Sequence, residues 1–324
     1  MQNPQHPTPL YDSEDDEPLE REELPASKDP NFKISPLTIL KDNIGKDLSK
    51  ITMPVFFNEP MNTLQKTAFS IENTDLLERA HQSDDPVMRM AYMAAYKIAM
   101  VSSLEKTSSK PFNPILGETF EFTKGEDRFV AEQVSHHPPM TAFHLENTKG
   151  TYRIFGTEQR KAKFTGKGLH FSSDGLSTME LMKRGEVYMS EIPLMFVCNI
   201  IFGKPYMDLG GTSKITCAQT GCVNELTFTK RGWSKGTYFR VEGFVSDAKG
   251  IKQATIEAKW NEKIVITYKG RSEVVWQKEP YPPKADQQYG FTRFGLQMNY
   301  LPKRLERVIA PTDTRRRMDQ RLLE

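Results

Sequence analysis

The feature that most constrains this chain is the series of short β-type segments between Gly117 and Lys278. Runs rich in β-branched and aromatic residues, such as Thr151–Thr157, Val223–Thr229 and Thr237–Val245, alternate with glycine-containing turns about every eight to twelve residues. Because open strand edges invite unwanted pairing, a long antiparallel series of this kind usually closes into a barrel or sandwich. A large barrel encloses a cavity. The sequence therefore predicts an α+β, mainly β fold.

A one-sided helix is predicted before this region. Ser35 is a suitable N-cap and Pro36 suits the first helical position. The apolar residues that follow recur at three- and four-residue spacing, which places them on one helix face; they are Leu37, Leu40, Ile44, Leu48 and Ile51. Such a stripe packs in a core or belongs to a mobile cover over an apolar cavity.

Two further helices are predicted, at about Met61–His81 and Pro86–Lys106, the second capped by Asp84 or Asp85. The second is rich in methionine, alanine and aromatic residues, more than a single apolar stripe requires, so we expect it to be buried on most of its circumference. Methionine fills irregular spaces, and such a helix suits a loose core or the wall of a cavity for a bulky apolar ligand.

Charge divides the chain unevenly. Residues 1–27 contain eight acidic residues and one arginine, a net charge of −7, so the remainder carries +9 of the total of +2. The acidic, proline-rich segment 1–30 is predicted to be a disordered tail. Within it, Leu10–Asp15 loosely resembles the acidic motif that binds receptors of the endoplasmic reticulum, although an undirected acidic tail is the simpler interpretation.

The basic remainder favours an anionic partner, such as a membrane surface. The candidates for peripheral contact with anionic lipid, which are equally well explained as solvated charges, are Lys303, Arg304, Arg307, Arg315, Arg316 and Arg317. A nucleic-acid partner is not expected, because stacking aromatics are not interleaved with these residues. Three cysteines cannot all pair, and the N-terminus lacks a signal-peptide pattern, so a cytoplasmic location is expected. The longest apolar stretch is too short to span a bilayer.

The most unusual segment is Glu132–Pro139, which reads E-Q-V-S-H-H-P-P. Its prolines stiffen the backbone that presents His136 and His137. Metal binding is disfavoured because the other histidines are scattered, and catalysis by Ser135 lacks a nucleophile elbow. Two interpretations remain equally open: a structural pair of histidines, and a site in which imidazole N–H groups hold phosphate oxygens.

A second stiff segment, Lys110–Glu118, reads K-P-F-N-P-I-L-G-E. It offers an ammonium group on Lys110 and an amide on Asn113, and both could complete an anion site with the histidines.

Together these segments resemble the oxysterol-binding protein family, whose fingerprint Glu132–Pro139 matches. Three more blocks agree in the expected order: Lys110–Glu118, Ile51–Gln65, and Thr312–Arg321, so the resemblance covers about residues 36–321. Family members usually continue past the last block into a helix whose basic residues add to the phosphate site, whereas this sequence stops at Glu324 and has Met318 where the family often has proline.

The resemblance implies a lipid-binding domain over 31–324, with a lid at about 37–60, helices at 61–106, a large incomplete antiparallel β-barrel around an apolar tunnel at 117–278, and a C-terminal segment at 279–324. It implies that Lys110, Asn113, His136 and His137 bind the phosphates of phosphatidylinositol 4-phosphate. The residues expected at the lid and sterol tunnel are Leu37, Leu40, Ile44, Leu48, Ile51, Pro54 and Phe56.

The predicted function is non-enzymatic transfer of lipids, without a cofactor or metal: a sterol and phosphatidylinositol 4-phosphate occupy one tunnel in turn and are exchanged between membranes. The alternatives are a lipid sensor or adaptor at membrane contacts, a carrier of another lipid such as phosphatidylserine, and a hydrolase that uses Ser135.

Overall fold

The computed structural model describes residues 20–28, 55, 58–106, 109–165, 168–175, 177–191, 193–199 and 205–323. The strands in these ranges are β1 (Asn58–Asn62), β2 (Lys110–Phe112), β3 (Thr119–Lys124), β4 (Asp127–His136), β5 (Pro139–Asn147), β6 (Tyr152–Phe164), β7 (Leu169–Asp174), β8 (Ser177–Leu181), β9 (Glu186–Ser190), β10 (Leu194–Cys198), β11 (Tyr206–Cys217), β12 (Val223–Phe228), β13 (Arg240–Ser246), β14 (Lys252–Lys259), β15 (Lys263–Tyr268) and β16 (Arg271–Gln277). The α-helices are α1 (Thr63–Thr67), α2 (Asp75–Gln82), α3 (Pro86–Met100), α4 (Arg293–Gln297), α5 (Lys303–Glu306) and α6 (Met318–Arg321).

Fourteen strands, β3–β16, form one antiparallel sheet. The hydrogen-bonded path runs from β16 down to β10, then through β7, β6, β5 and β4 to β3, while β8 and β9 connect β6 to β11 by a second route. Within the described residues, the end strands β3 and β16 do not pair with each other. The sheet is therefore the predicted large, incomplete antiparallel barrel, and its strands cover the predicted region 117–278.

One face of the sheet is buried and the other faces solvent. Strand β4 shows this: Phe129, Ala131 and Gln133 are buried, whereas the intervening Val130 and Glu132 are exposed. This two-residue alternation is what a strand with one covered face requires.

Helix α3 packs against the part of the buried face that β11–β16 form. Asp85 caps this helix by accepting a hydrogen bond from the Val87 N–H at 2.9 Å, and Pro86 occupies its first position. The helix contacts α2 and strands β11–β16. Residues Val87 and Arg89 to Ala99 are all buried, which confirms the prediction of burial on most of its circumference. Its α-helical part ends at Met100, and a 3₁₀ turn, Val101–Leu104, follows.

The predicted single helix Met61–His81 is wrong. Asn62 has an extended conformation and its side chain accepts hydrogen bonds from the N–H groups of Leu64 and Gln65, so α1 begins only at Thr63. A 3₁₀ segment, Ala68–Ile71, separates α1 from α2. Thr74, at the start of α2, donates a hydrogen bond of 2.6 Å to the buried Asp127 of β4, and this contact holds the chain at the break.

The predicted lid lies almost entirely outside the described residues, as do all seven predicted lid and tunnel residues. Its C-terminal end, Asn58–Pro60, belongs to β1, which pairs in parallel with β2. That pairing attaches the end of the predicted lid directly to the segment that contains Lys110.

Part of the predicted disordered tail is ordered. Residues 20–28 lie against the C-terminal segment: Arg21 and Gln297 exchange two hydrogen bonds of 2.9 and 2.7 Å, and Leu24 is buried. The backbone N–H of Lys28 also donates to the Gln287 carbonyl at 2.8 Å. The composition of this segment predicted disorder because the partners that order residues 20–28 lie more than 250 residues away in sequence. The Leu10–Asp15 motif lies outside the described residues.

A buried ion pair joins α3 to the sheet and gives a first prediction. Arg89 Nη2 lies 2.5 Å from Glu186 Oε1, and Tyr188 donates to Oε2 of the same carboxylate at 2.6 Å. Glu186→Gln leaves a buried arginine without its counter-charge, so we expect a loss of about 3–5 kcal/mol in the free energy of unfolding, measured by urea denaturation. The control is Glu242→Gln, which removes the exposed pair with Arg240 and should cost about 1 kcal/mol or less. Equal losses would contradict the prediction.

The pH dependence of stability follows from Glu72, which lies directly after the 3₁₀ segment. Burial raises the pKa of its carboxyl from 4.5 to about 7, although the charges of Lys124 and Lys278 oppose this rise. Between these values the folded chain holds a proton that the unfolded chain has lost, so stability falls as pH rises through this window. We expect Glu72→Gln to flatten this slope and add about 1–2 kcal/mol at pH 8, measured by urea denaturation. The exposed Glu257→Gln is the control and should leave the slope unchanged.

Candidate functional site

Lys110 is positioned by the short parallel pair of β1 and β2, in which Asn58 lies opposite Lys110 and Asn62 opposite Phe112. Phe112 is buried and anchors β2, whereas Lys110 is half-buried. Burial lowers the pKa of the Lys110 ammonium, and the positive charge of Arg317 lowers it further. Because both causes disfavour the charged form, an anion bound beside this ammonium would offset them by stabilising the positive charge.

Asn113 is held in the loop that follows. Arg317 Nη1 donates to the Asn113 carbonyl at 2.8 Å and to the carboxylate of buried Glu118 at 3.1 Å. Glu118 in turn accepts a hydrogen bond of 2.8 Å from the Ile115 N–H. The loop is therefore fixed through its backbone, and in the described part of the chain the Asn113 side-chain amide makes no hydrogen bond.

The end of this loop joins the strand that leads to the histidines. The Gly117 N–H donates to the Gln133 carbonyl at 2.9 Å, and the Gln133 N–H donates to the Glu118 carbonyl at 3.0 Å. Gly117 has a φ of +77°, a left-handed conformation that favours glycine. These two bonds extend the β3–β4 ladder. They bring the Lys110–Glu118 loop to the end of β4 where His136 lies, and this end of the strands is here called the edge that contains Lys110 and His136.

His136 is the last residue of β4, and His137 lies in the turn that leads to β5. The His137–Pro138 peptide bond is cis, and the two imidazole centroids are 4.6 Å apart. Buried Gln133 supports the turn: its amide donates to the Ser135 carbonyl at 2.8 Å, and Thr141 donates to its side-chain oxygen at 2.9 Å. The histidine rings are consequently presented by an ordered backbone.

The hydrogen-bonding capacity of this turn is not fully used. His136 Nδ1 is buried and has no partner among the described residues, while the side chain of His137 is exposed. Within the same residues, Ser135 makes no side-chain hydrogen bond to either imidazole, so a nucleophile and base are not paired here. Imidazole, ammonium, guanidinium and amide groups at one edge can instead donate several hydrogen bonds to an anion such as a phosphate.

Sequence reasoning missed two residues of this site, Gln133 and Arg317. It considered Arg315–Arg317 as candidates for contact with a membrane, which is wrong for Arg315. This residue is buried, lies 2.7 Å from Asp313 and donates to the Glu121 carbonyl at 2.9 Å. The matching Thr312–Arg321 block was the only signal that this run had a structural role.

No helix in the described ranges is both long enough and apolar enough to cross a bilayer.

Comparisons with known proteins agree with the fold. The family described as Oxysterol-binding protein matches residues 35–324. The chain is 38% identical over 309 residues to oxysterol-binding protein-related protein 3 of Mus musculus, a match that covers 94% of this chain and 36% of the relative. It is 36% identical over 311 residues to oxysterol-binding protein-related protein 7 of Homo sapiens, covering 95% and 37%. The chain thus spans little more than a third of the length of these relatives.

Solved structures of similar fold contain lipids. The Osh1 ORD domain in complex with ergosterol has a TM-score of 0.86 and 32% identity, covering 95% of this chain and 78% of the other. The Osh3 ORD of Saccharomyces cerevisiae in complex with PI(4)P has a TM-score of 0.84 and 28% identity, covering 94% and 81%. The family match over most of the sequence, with the fold and the order of the motifs, shows that this chain belongs to the oxysterol-binding protein family.

Proposed function

We propose that this chain is a non-enzymatic lipid-transfer protein that binds a sterol and phosphatidylinositol 4-phosphate alternately and exchanges them between membranes. The observation that carries the proposal is the meeting of the Lys110–Asn113 loop and the His136–His137 turn at one edge of a sheet with an apolar inner face. The ergosterol-bound Osh1 domain and the PI(4)P-bound Osh3 domain support the two ligands.

The charge state of this edge suits a phosphate. Lys110 has a depressed pKa, and His136 has an unpartnered ring nitrogen. A phosphate at this edge would offset the desolvation of the ammonium and accept hydrogen bonds from both groups. Charge-assisted bonds of this kind contribute about 1.5–3 kcal/mol each.

The sheet interior suits the apolar part of a lipid. A sterol buries enough apolar surface to gain on the order of 10 kcal/mol relative to water, but a bilayer offers almost the same gain. An interior that matches the bilayer therefore permits release as well as uptake. If both lipids compete for one interior, a gradient of the phosphoinositide drives the sterol against its own gradient by mass action.

The site also implies a location. A carrier that takes lipid from a bilayer must touch the bilayer with the edge through which the headgroup enters. We therefore propose a cytoplasmic protein that binds anionic membranes peripherally, with the edge containing Lys110 and His137 towards the lipid.

We expect Lys110→Ala, and the double change His136→Ala/His137→Ala, to reduce extraction of phosphatidylinositol 4-phosphate from liposomes by about tenfold or more, because each removes a charge-assisted contact. Sterol binding should change by less than about twofold. The control is Lys149→Ala, an exposed lysine in the β5–β6 turn at the opposite edge of the sheet. Equal loss of both lipids would mean that these residues hold the fold rather than the phosphate.

A sensor or adaptor is the second candidate, because the Leu10–Asp15 motif would let a lipid-loaded chain recruit a receptor of the endoplasmic reticulum. Deletion of residues 1–19 separates the two functions and keeps the contact of residues 20–28 with Gln297. We expect an unchanged rate of sterol transfer between two liposome populations. A rate that falls in the truncated chain would favour the adaptor, and liposomes that contain phosphatidylserine in place of the phosphoinositide test that lipid as cargo.

A further inference from the structure

A second cation lies inside the fold, away from the edge that contains Lys110. Lys97 is in the last turns of α3, and only 5% of its surface is exposed. Its ammonium makes no hydrogen bond or ion pair with any residue that the structure describes. Burial lowers the pKa of Lys97 to about 8, and the attraction of Glu158 opposes this shift only in part. The group is therefore still mostly charged at neutral pH.

The acidic residue whose charge raises the pKa of Lys97 is Glu158, which is on β6. Its side chain is on the same strand face as the buried Tyr152 and Ile154, because residues two apart point the same way. That face is the inner face of the sheet, so Glu158 and Lys97 share the interior.

Glu158 is already engaged by another cation. Arg160, two residues along the same face, donates to Glu158 Oε2 from Nη2 at 2.7 Å and from Nε at 3.0 Å. Arg160 Nη2 also donates to Thr67 Oγ1 of α1 at 2.9 Å. Glu158 thus pairs with Arg160 and only attracts Lys97 from beyond ion-pair distance, and the three groups together have a formal charge of +1.

An unpaired positive charge in an apolar interior is costly, and buried charges are normally paired. Simple packing does not explain Lys97, because a methionine would fill the same space without desolvating a charge, and the neighbouring positions of α3 show that methionine is available here. A ligand that brings one negative charge would neutralise the group.

We infer that Lys97, supported by Glu158 and Arg160, is an inner subsite for the single negative charge of an acidic lipid whose apolar part occupies the sheet interior. A carboxylate or a sulfate ester supplies one charge, whereas the neighbouring Glu158 would repel a second. A neutral hydroxyl can accept a hydrogen bond from Lys97 but leaves its charge uncompensated. The inference rests on the lipid-carrying interior of the proposed function, not on the exchange of two lipids.

The test compares acidic lipids with neutral lipids of the same skeleton. The full chain is incubated with liposomes that contain radiolabelled oleate or oleyl alcohol, and separately cholesterol sulfate or cholesterol, and protein-bound lipid is measured after the liposomes are removed. We expect a preference of about tenfold or more for at least one acidic lipid over its neutral partner. The pair of lipids that shows this preference identifies which apolar skeleton, the fatty acyl chain or the sterol, the interior accepts.

Lys97→Met should abolish this preference and change binding of the neutral partner by less than about twofold. The matched control is Lys163→Met, which removes a lysine from the exposed face of the same strand as Glu158 and should change neither. In the absence of lipid, Lys97→Met should be at least as resistant to urea as the wild type, because it removes an uncompensated buried charge.

The inference is overturned if the wild type binds each acidic lipid no better than its neutral partner, if the preference survives in Lys97→Met, or if that variant is less stable, which would assign Lys97 to the fold. Extraction of phosphatidylinositol 4-phosphate is measured in parallel. Its failure in the wild type would reject the proposed exchange and leave the acidic-lipid result standing.

Discussion

The edge that contains Lys110 and His136 depends on one buried asparagine, Asn62. Its side-chain oxygen accepts the first N–H groups of α1, and its amide donates to Glu118 at 2.7 Å and to Thr314. Glu118 in turn fixes the loop that contains Asn113 and binds Arg317. One amide thus joins β1, the loop before β3 and the C-terminal segment. Because a buried polar group without partners is expensive, this network stabilises the observed arrangement of the three segments.

The same balance between desolvation and pairing explains the two unusual lysines. At the edge, Lys110 feels both burial and the charge of Arg317, and it is close enough to solvent for a large headgroup to approach. In the interior, Lys97 is more completely desolvated and feels only the attraction of Glu158. In our proposals the two sites therefore accept groups of different size: a bulky multivalent headgroup at the rim, and a small monovalent group inside.

The sequence was informative where local pattern determines structure. Alternating strands and glycine turns predicted an antiparallel barrel or sandwich, the family resemblance implied the large incomplete barrel, and the Met-rich composition of α3 predicted its burial. The paired histidines and Lys110 were found because stiff proline-containing segments are visible in the sequence. The predictions failed where contacts between distant segments decide: Asn62 starts α1 late, Leu24 orders part of the acidic tail, and Arg315 is consumed by an internal ion pair. The contacts of these three residues form only in the folded chain, and the local sequence around each residue does not indicate them.

Among the residues that the structure describes, the end strands β3 and β16 each pair with another strand of the sheet on one side only, and this has a consequence for the protein in concentrated solution. An exposed edge strand can pair with the same strand of another copy and begin aggregation. Here the Thr119 N–H of β3 donates to the Thr312 carbonyl, and the Arg315 side chain donates a hydrogen bond to the Glu121 carbonyl. On β16, the Arg79 side chain donates a hydrogen bond of 3.0 Å to the Val275 carbonyl. The sheet can therefore remain open while side chains and the C-terminal segment protect both end strands from pairing with a second molecule.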